Sequence, residues 1–239
     1  MYQKMRSEVF VAVVLLSFLP LELGAQAVVE NYTSVTDDRL INPEEHNWLS
    51  YRGTLDGWGY SKLDQINDTN IEELQPVWSF STGVLGGHES PPIVNDGVMF
   101  ITTPGNFLYA IEAATGDLLW RYQHNLPENY IAFHRTNRGV ALYGDKVYMA
   151  TLDARVIALD ATTGEKVWDT PVQDNSFGYY ITMAPLAIDG KILVGTSGGE
   201  LGIRGFVVAL DAESGTEAWR TYTVPGPGEP GNESWPGES

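Results

Sequence analysis

The chain has no cysteine in its 239 residues. That excludes a disulfide framework, a thiolate metal site and an anchor built on a lipid-bearing cysteine. Positive charge is scarce as well, with 14 Lys and Arg against 31 Asp and Glu, a formal charge of −17. Such a surface repels nucleic acid and anionic lipid, and it leaves a cationic partner as the compatible kind. Beyond residue 27 no stretch is apolar enough to span a bilayer.

What is present begins with a leader. Lys4 and Arg6 precede a short apolar run, VFVAVVLLSFLP from Val9, and Ala25-Gln26-Ala27 supplies a small-x-small cleavage pattern. Residues 1–27 therefore read as an export signal, with an uncleaved anchor as the alternative. The mature chain is expected to start near Val28 and to work in the periplasm.

Repetition follows. YAIEAATGDLLWRY from Tyr109, IALDATTGEKVWDT from Ile157 and VALDAESGTEAWRT from Val208 align without gaps. Each carries Ala, an acid two places on, then Gly, then Trp four places after the Gly: Trp120, Trp168 and Trp219. Ahead of them stand PPIVNDGVMFITT, GVALYGDKVYMAT and APLAIDGKILVGT, each an alternating pair of strands about a tight turn. Four antiparallel strands recurring at roughly 50 residues is the period of a propeller blade.

The expected fold is all-β, a propeller of four-stranded blades, with about three blades in a partial propeller domain over residues 28–226. The repeated Trp is expected to wedge between blades, and the acid and Gly to serve turn chemistry. A further partial strand is expected around Val77-Trp78-Ser79-Phe80. Three blades cannot close a ring, and after Tyr222 the chain runs into TVPGPGEPGNESWPGES, read over 227–239 as a Gly/Pro-rich loop at a truncated end. The front part of a longer protein is the favoured reading over an open array of blades.

Function must come from residues that break the repeat. Glu89 stands just before the first blade's inner strand, His134 and Arg138 before the second, and Thr182 before the third. Thr196–Gly205 (TSGGELGIRG) is inserted between the second and third strands of the last blade and carries Ser197, Gly198, Gly199 and Glu200. Taken singly, each has a plain reading: a solvated turn for Glu89, a surface ring for His134, a structural ion pair for Arg138. Inner-strand mouths of a propeller face its axis, so together these elements can converge on one site.

These residues resemble a known family. NWLSYRGTLDGWGYSKLDQINDTNIEEL, then GHESPP, TNRGVAL, ITMAP, GGELGIRG and WRTYTVPG, in this order from Asn47 to Gly226, are similar to the quinoprotein alcohol dehydrogenases that use pyrroloquinoline quinone (PQQ). The resemblance implies an eight-bladed propeller with the quinone and a calcium or lanthanide ion near its axis. It implies Glu200 as a metal-ligating carboxylate and Ser197, Gly198 and Gly199 along the quinone edge. Glu89 and Thr182 match residues that hydrogen-bond the cofactor rim, and Arg138 matches the catalytic arginine that donates to the reactive quinone oxygens. The implied reaction is hydride transfer from a primary alcohol to the quinone, giving an aldehyde, with a c-type cytochrome as electron acceptor.

Two departures stand out. Alcohol-oxidising relatives place a disulfide-closed cysteine pair over the quinone, where this chain has Ala132-Phe133. His134-x-Thr136-x-Arg138-Gly139 instead resembles membrane-bound glucose dehydrogenases, in which a histidine covers the ring, so a sugar or polyol substrate is the alternative to an alcohol. The family's catalytic aspartate, its asparagine metal ligand and the tryptophan under the quinone fall outside these 239 residues. The chain alone is therefore expected not to turn over. From another class, outer-membrane assembly scaffolds share the blade repeat without a cofactor.

Overall fold

A computed structural model of the protein describes residues 28–234. The export signal expected over 1–27 and the end of the 227–239 loop lie outside the described residues.

Three four-stranded antiparallel sheets follow one another in the chain, each with its strands in sequence order. The first holds β1 (Ile93–Asn95), β2 (Val98–Thr103), β3 (Phe107–Glu112) and β4 (Leu118–Gln123). The second holds β5 (Val140–Tyr143), β6 (Lys146–Ala150), β7 (Arg155–Asp160) and β8 (Lys166–Pro171). The third holds β9 (Leu186–Ile188), β10 (Lys191–Gly195), β11 (Phe206–Asp211) and β12 (Glu217–Tyr222). Each β1-to-β2 type turn lies where the sequence places it. Asp96 and Gly97 are both left-handed (φ 49° and 82°), as are Asp189 and Gly190 (φ 48° and 68°), the pairing that a two-residue hairpin of matching twist requires.

Burial follows from sheets stacked face to face. Leu108–Ile111, Val156–Leu159 and Val208–Leu210, in the third strand of each sheet, are buried residue after residue rather than alternately. A strand covered on both faces reads as a continuous apolar run. The outer strands β4, β8 and β12 are largely solvent-facing.

The tryptophans join one blade to the next. Trp120 Nε1 donates to the Ala161 carbonyl at 3.1 Å, and Trp168 Nε1 to the Ala212 carbonyl at 3.1 Å. Each ring lies on the glycine of the neighbouring turn: a Cβ on Gly164 would come within 2.7 Å of Trp120, and one on Gly215 within 2.7 Å of Trp168. The glycine is therefore required twice, for its left-handed backbone and for the room it leaves the indole. Turn chemistry alone, the role expected of it, is only half the reason. The acid does serve the turn, since Asp160 Oδ1 accepts from the Thr162 and Thr163 backbone N–H groups at 2.9 and 2.8 Å.

Val77–Phe80 departs from expectation, because it forms no strand. Trp78 nevertheless repeats the blade-to-blade contact, donating to the Ala113 carbonyl at 3.0 Å with its ring on Gly116. The packing of a fourth strand is present without its ladder. Trp219, at the far edge, is 40% exposed whereas Trp120 is fully buried.

Residues 29–49 cross the ends of the inner strands remote from residues 89, 138 and 182 and tie the three turns there. Thr33 N donates to Asp96 Oδ2 at 2.8 Å, Val35 pairs with Gly144, and Asp189 N donates to Asp37 Oδ1 at 2.7 Å. The short helix α1 (Asp37–Ile41), capped by Thr36, sits within this strap and buries Leu40. Fixing the three turns on that side also fixes the relative placement of the three inner-strand mouths on the other.

Candidate functional site

The second blade's mouth is set by a buried amide. Asn137 Oδ1 accepts from Thr102 Oγ1 at 2.8 Å and from Gly139 N at 3.1 Å, while its Nδ2 donates to the Ala150 carbonyl at 2.8 Å. An asparagine with so many bonds holds its backbone in one conformation, and the next side chain, Arg138, is aimed accordingly.

Arg138 collects the other blades. Its backbone N–H donates to the Thr182 carbonyl at 2.9 Å and its NH1 to Thr182 Oγ1 at 2.6 Å. Its Nε meets Glu89 Oε2 at 2.9 Å. Thr182 Oγ1 in turn lies 3.3 Å from Ser197 Oγ. Four residues singled out in the sequence, one from each blade mouth and one from the 196–205 loop, thus form a continuous polar chain. Arg138 and Glu89 remain 38% and 45% exposed, so the chain is open to a ligand on one side.

The 196–205 loop is fastened to the third mouth. Ser197 N donates to the Tyr180 carbonyl at 2.8 Å. Gly198 is left-handed (φ 117°), and a Cβ there would overlap the Gly178 carbonyl, so only glycine fits. Gly199–Leu201 then makes one 3₁₀ turn, closed by a second left-handed glycine, Gly202 (φ 69°). A Cβ on Gly199 would meet nothing within 4 Å, so this backbone faces open space. Glu200, at the apex, is exposed and has no side-chain hydrogen bond or ion pair within the described residues. No group of three or more His, Cys, Asp or Glu able to hold a metal occurs among the described residues.

Tyr180 reports how these parts share one neighbourhood. Burial pushes its hydroxyl pKa up, and the Glu200 charge adds to that rise. The backbone N–H groups of Phe133 and His134 and the Arg138 charge oppose it. His134 itself is exposed and does not join the polar chain. It lines a cleft of about 510 Å³ with Glu89, Leu85, Phe107, Tyr130 and Phe133.

Sequence reasoning passed over Asn137 and Tyr180, although TNRG and GYYITM place a polar amide and paired aromatics inside the motifs. It also passed over His124 and Asp153, a pair 2.9 Å apart and 9% and 8% exposed that bolts the end of β4 to the β6–β7 loop. Burial alone would raise the Asp153 carboxyl, yet hydrogen bonds from His124 and Thr151 hold it below its usual range.

Comparison with known proteins agrees with this architecture. Residues 48–239 match the family described as "PQQ: Glucose/ethanol/alcohol dehydrogenase, beta-propeller domain". The chain is 43% identical over 201 residues to the quinohemoprotein alcohol dehydrogenase ADH-IIG of Pseudomonas putida, covering 81% of this chain and 28% of that protein. Among solved structures, the quinohemoprotein alcohol dehydrogenase of Comamonas testosteroni is similar with a TM-score of 0.73 at 36% identity, over 80% of this chain and 30% of that one. A europium-containing methanol dehydrogenase is similar with a TM-score of 0.75 at 37% identity, over 79% of this chain and 34% of that one. The chain thus spans about a third or less of the length of these relatives.

Proposed function

The chain belongs to the PQQ glucose/ethanol/alcohol dehydrogenase β-propeller family, and on that footing we propose that its blade mouths form part of the PQQ and metal site of a periplasmic alcohol dehydrogenase. The observation that carries this reading is the Glu89–Arg138–Thr182–Ser197 chain, which gathers a carboxylate, a cation and two hydroxyls from three blades and ends in the loop that holds Glu200.

The residues present suit such a group. A planar, anionic, carbonyl-rich ring needs N–H donors, hydroxyls and a stretch of backbone it can approach closely. Arg138 supplies the donors, Thr182 and Ser197 the hydroxyls, and Gly199 the approach, with open space beside its Cα. Glu200 offers a hard oxygen with no hydrogen-bond or ion-pair partner among the described residues, the donor type that calcium or a lanthanide takes. A full ligand set needs more oxygens than the described residues gather at Glu200, which in our reading is one ligand of several.

When bound, the quinone supplies the acceptor for hydride from an alcohol carbon. The protein's part is electrostatic and steric. Arg138 presents a fixed positive charge where negative charge grows on oxygen, and a charge already in place needs no reorganisation at the moment of reaction. Thr182 and Glu89 fix the direction of that guanidinium. Ser197 and the glycines would align the ring edge, Glu200 would hold the cation, and His134 would cover the ring in place of a cysteine pair. The reaction class is oxidation of a primary alcohol to its aldehyde, with electrons passing to a c-type cytochrome.

Titrating PQQ into the protein and following quenching of its intrinsic fluorescence tests the reading. Saturable quenching that Arg138→Gln weakens at least tenfold is expected; equal quenching of both proteins would contradict it.

A further inference from the structure

Glu200 is held by backbone alone. Its turn is bounded by two left-handed glycines, and its carboxylate has no hydrogen-bond or ion-pair partner among the described residues. The direction of that carboxylate is therefore set by how the two ends of the loop are fastened. The Ser197–Tyr180 bridge fastens the near end.

The far end is fastened at Arg204. Tyr179 grips its backbone, its hydroxyl donating to the Arg204 carbonyl and accepting from the Arg204 N–H, both at 3.3 Å. The side chain reaches the other way. Nε donates to the Val224 carbonyl at 2.7 Å, NH2 pairs with Glu229, and the guanidinium lies 3.9 Å from the centre of the Tyr222 ring. Glu229 also accepts from Gly226 N at 2.8 Å, and Gly226 leaves the room in which the guanidinium sits. One side chain thus makes a ring contact to the last residue of β12 and a carbonyl bond and an ion pair to the segment that follows it.

Nothing in a propeller blade calls for this. The corresponding β2–β3 and β6–β7 corners, Pro104-Gly105-Asn106 and Thr151–Ala154, are short and carry no arginine reaching past the outer strand. The arrangement is peculiar to the blade that bears the Gly-Gly-Glu loop. A planar fork that bonds on its edge and packs on its face can restrain two segments at once, which lysine cannot do.

We propose that Arg204 is the positioning residue for Glu200: by clamping Tyr222–Glu229 with its side chain while Tyr179 holds its backbone, it fixes how the 196–205 loop presents the carboxylate. The positioning role stands on the geometry; its consequence for the cation rests on the function proposed above. Arg204 acts through the loop.

Hydrogen exchange and ligand titration test it on the full chain. In Arg204→Gln, exchange at the Ser197 and Leu201 amides, which flank Glu200, should rise about tenfold while the β10 amides stay protected. Glu229→Gln should do the same to a lesser degree, and it decides the matter if Arg204→Gln does not fold. Arg204→Lys should fail to restore protection. The strengthening of PQQ binding by calcium should fall about tenfold in Arg204→Gln, the size of effect typical of groups that orient a metal ligand. Unchanged loop exchange in a folded variant overturns the proposal. So does a calcium response that Glu200→Gln abolishes and Arg204→Gln leaves intact. If the unmodified chain bound no PQQ, the site reading would fall while loop exchange still decided the role of Arg204.

Discussion

Arg138 and Thr182 are bound to each other twice, backbone to backbone at 2.9 Å and guanidinium to hydroxyl at 2.6 Å. The first bond sets two blade mouths side by side. The second aims a cation using a residue from the neighbouring blade. Thr182→Val keeps the shape and the backbone bond and removes only the hydroxyl. A hydrogen bond to a charged group contributes about 1.5–3 kcal/mol, so PQQ affinity should fall tenfold or more by fluorescence titration. An unchanged affinity with lowered stability would assign the pair to structure alone.

The tryptophan-on-glycine contact gives a stability test with an internal control. Gly144 and Gly164 are both left-handed, with φ of 61° and 73°. A Cβ on Gly144 would meet nothing within 4 Å, whereas one on Gly164 would strike the Trp120 ring at 2.7 Å. Gly144→Ala should cost about 1–2 kcal/mol, the left-handed penalty alone. Gly164→Ala should cost clearly more, about 3 kcal/mol or above, since a buried indole must also shift. Urea unfolding of both variants measures the difference. Equal costs would show that the ring is not a constraint.

The strap carries an acid-sensitive pair. Arg39 donates to both Glu44 oxygens, at 2.8 and 2.9 Å, and Asn47 donates at 2.9 Å. The Arg39 bonds first, and the Asn47 bond second, hold the Glu44 carboxyl down to about 2 from an ordinary 4.5. Because the folded value lies below the unfolded one, the contribution is complete above pH 4.5 and disappears as pH falls toward 2. Glu44 is 42% exposed, so screening keeps the contribution under about 1 kcal/mol. Thermal midpoints of the protein and of Glu44→Gln should differ at pH 6 and converge by pH 2. A gap that widened in acid would reverse the sign of this linkage.

His134 lines a cleft beside the polar chain without joining it. If its ring covers the quinone, His134→Ala should shift the bound-quinone absorbance and weaken binding, with little effect on folding because the side chain is exposed. An unaltered spectrum would remove His134 from the site.

The frame was legible because its signals are local and periodic. Trp120, Trp168 and Trp219 stand at fixed offsets from a Gly, and Asp96-Gly97 and Asp189-Gly190 announce their hairpins by residue type. Val77–Phe80 was misjudged because a strand needs ladder partners, which a four-residue pattern cannot reveal. Trp78 keeps its contact without them. At the site, Glu89, Arg138, Thr182 and Ser197 were visible as breaks in the repeat. Asn137 and Tyr180 were not, since their roles arise from burial and from partners distant in the chain. Arg204 stands within the GGELGIRG motif, but its partners Val224 and Glu229 lie in a stretch that composition marks only as loop.

Calcium dependence of PQQ binding, compared between the protein and Glu200→Gln, tests the central claim most directly. The expected result is that calcium tightens PQQ binding to the unmodified chain and leaves Glu200→Gln unaffected. If calcium strengthened binding equally in both, Glu200 would not be the cation's ligand and the assignment of the 196–205 loop would fail.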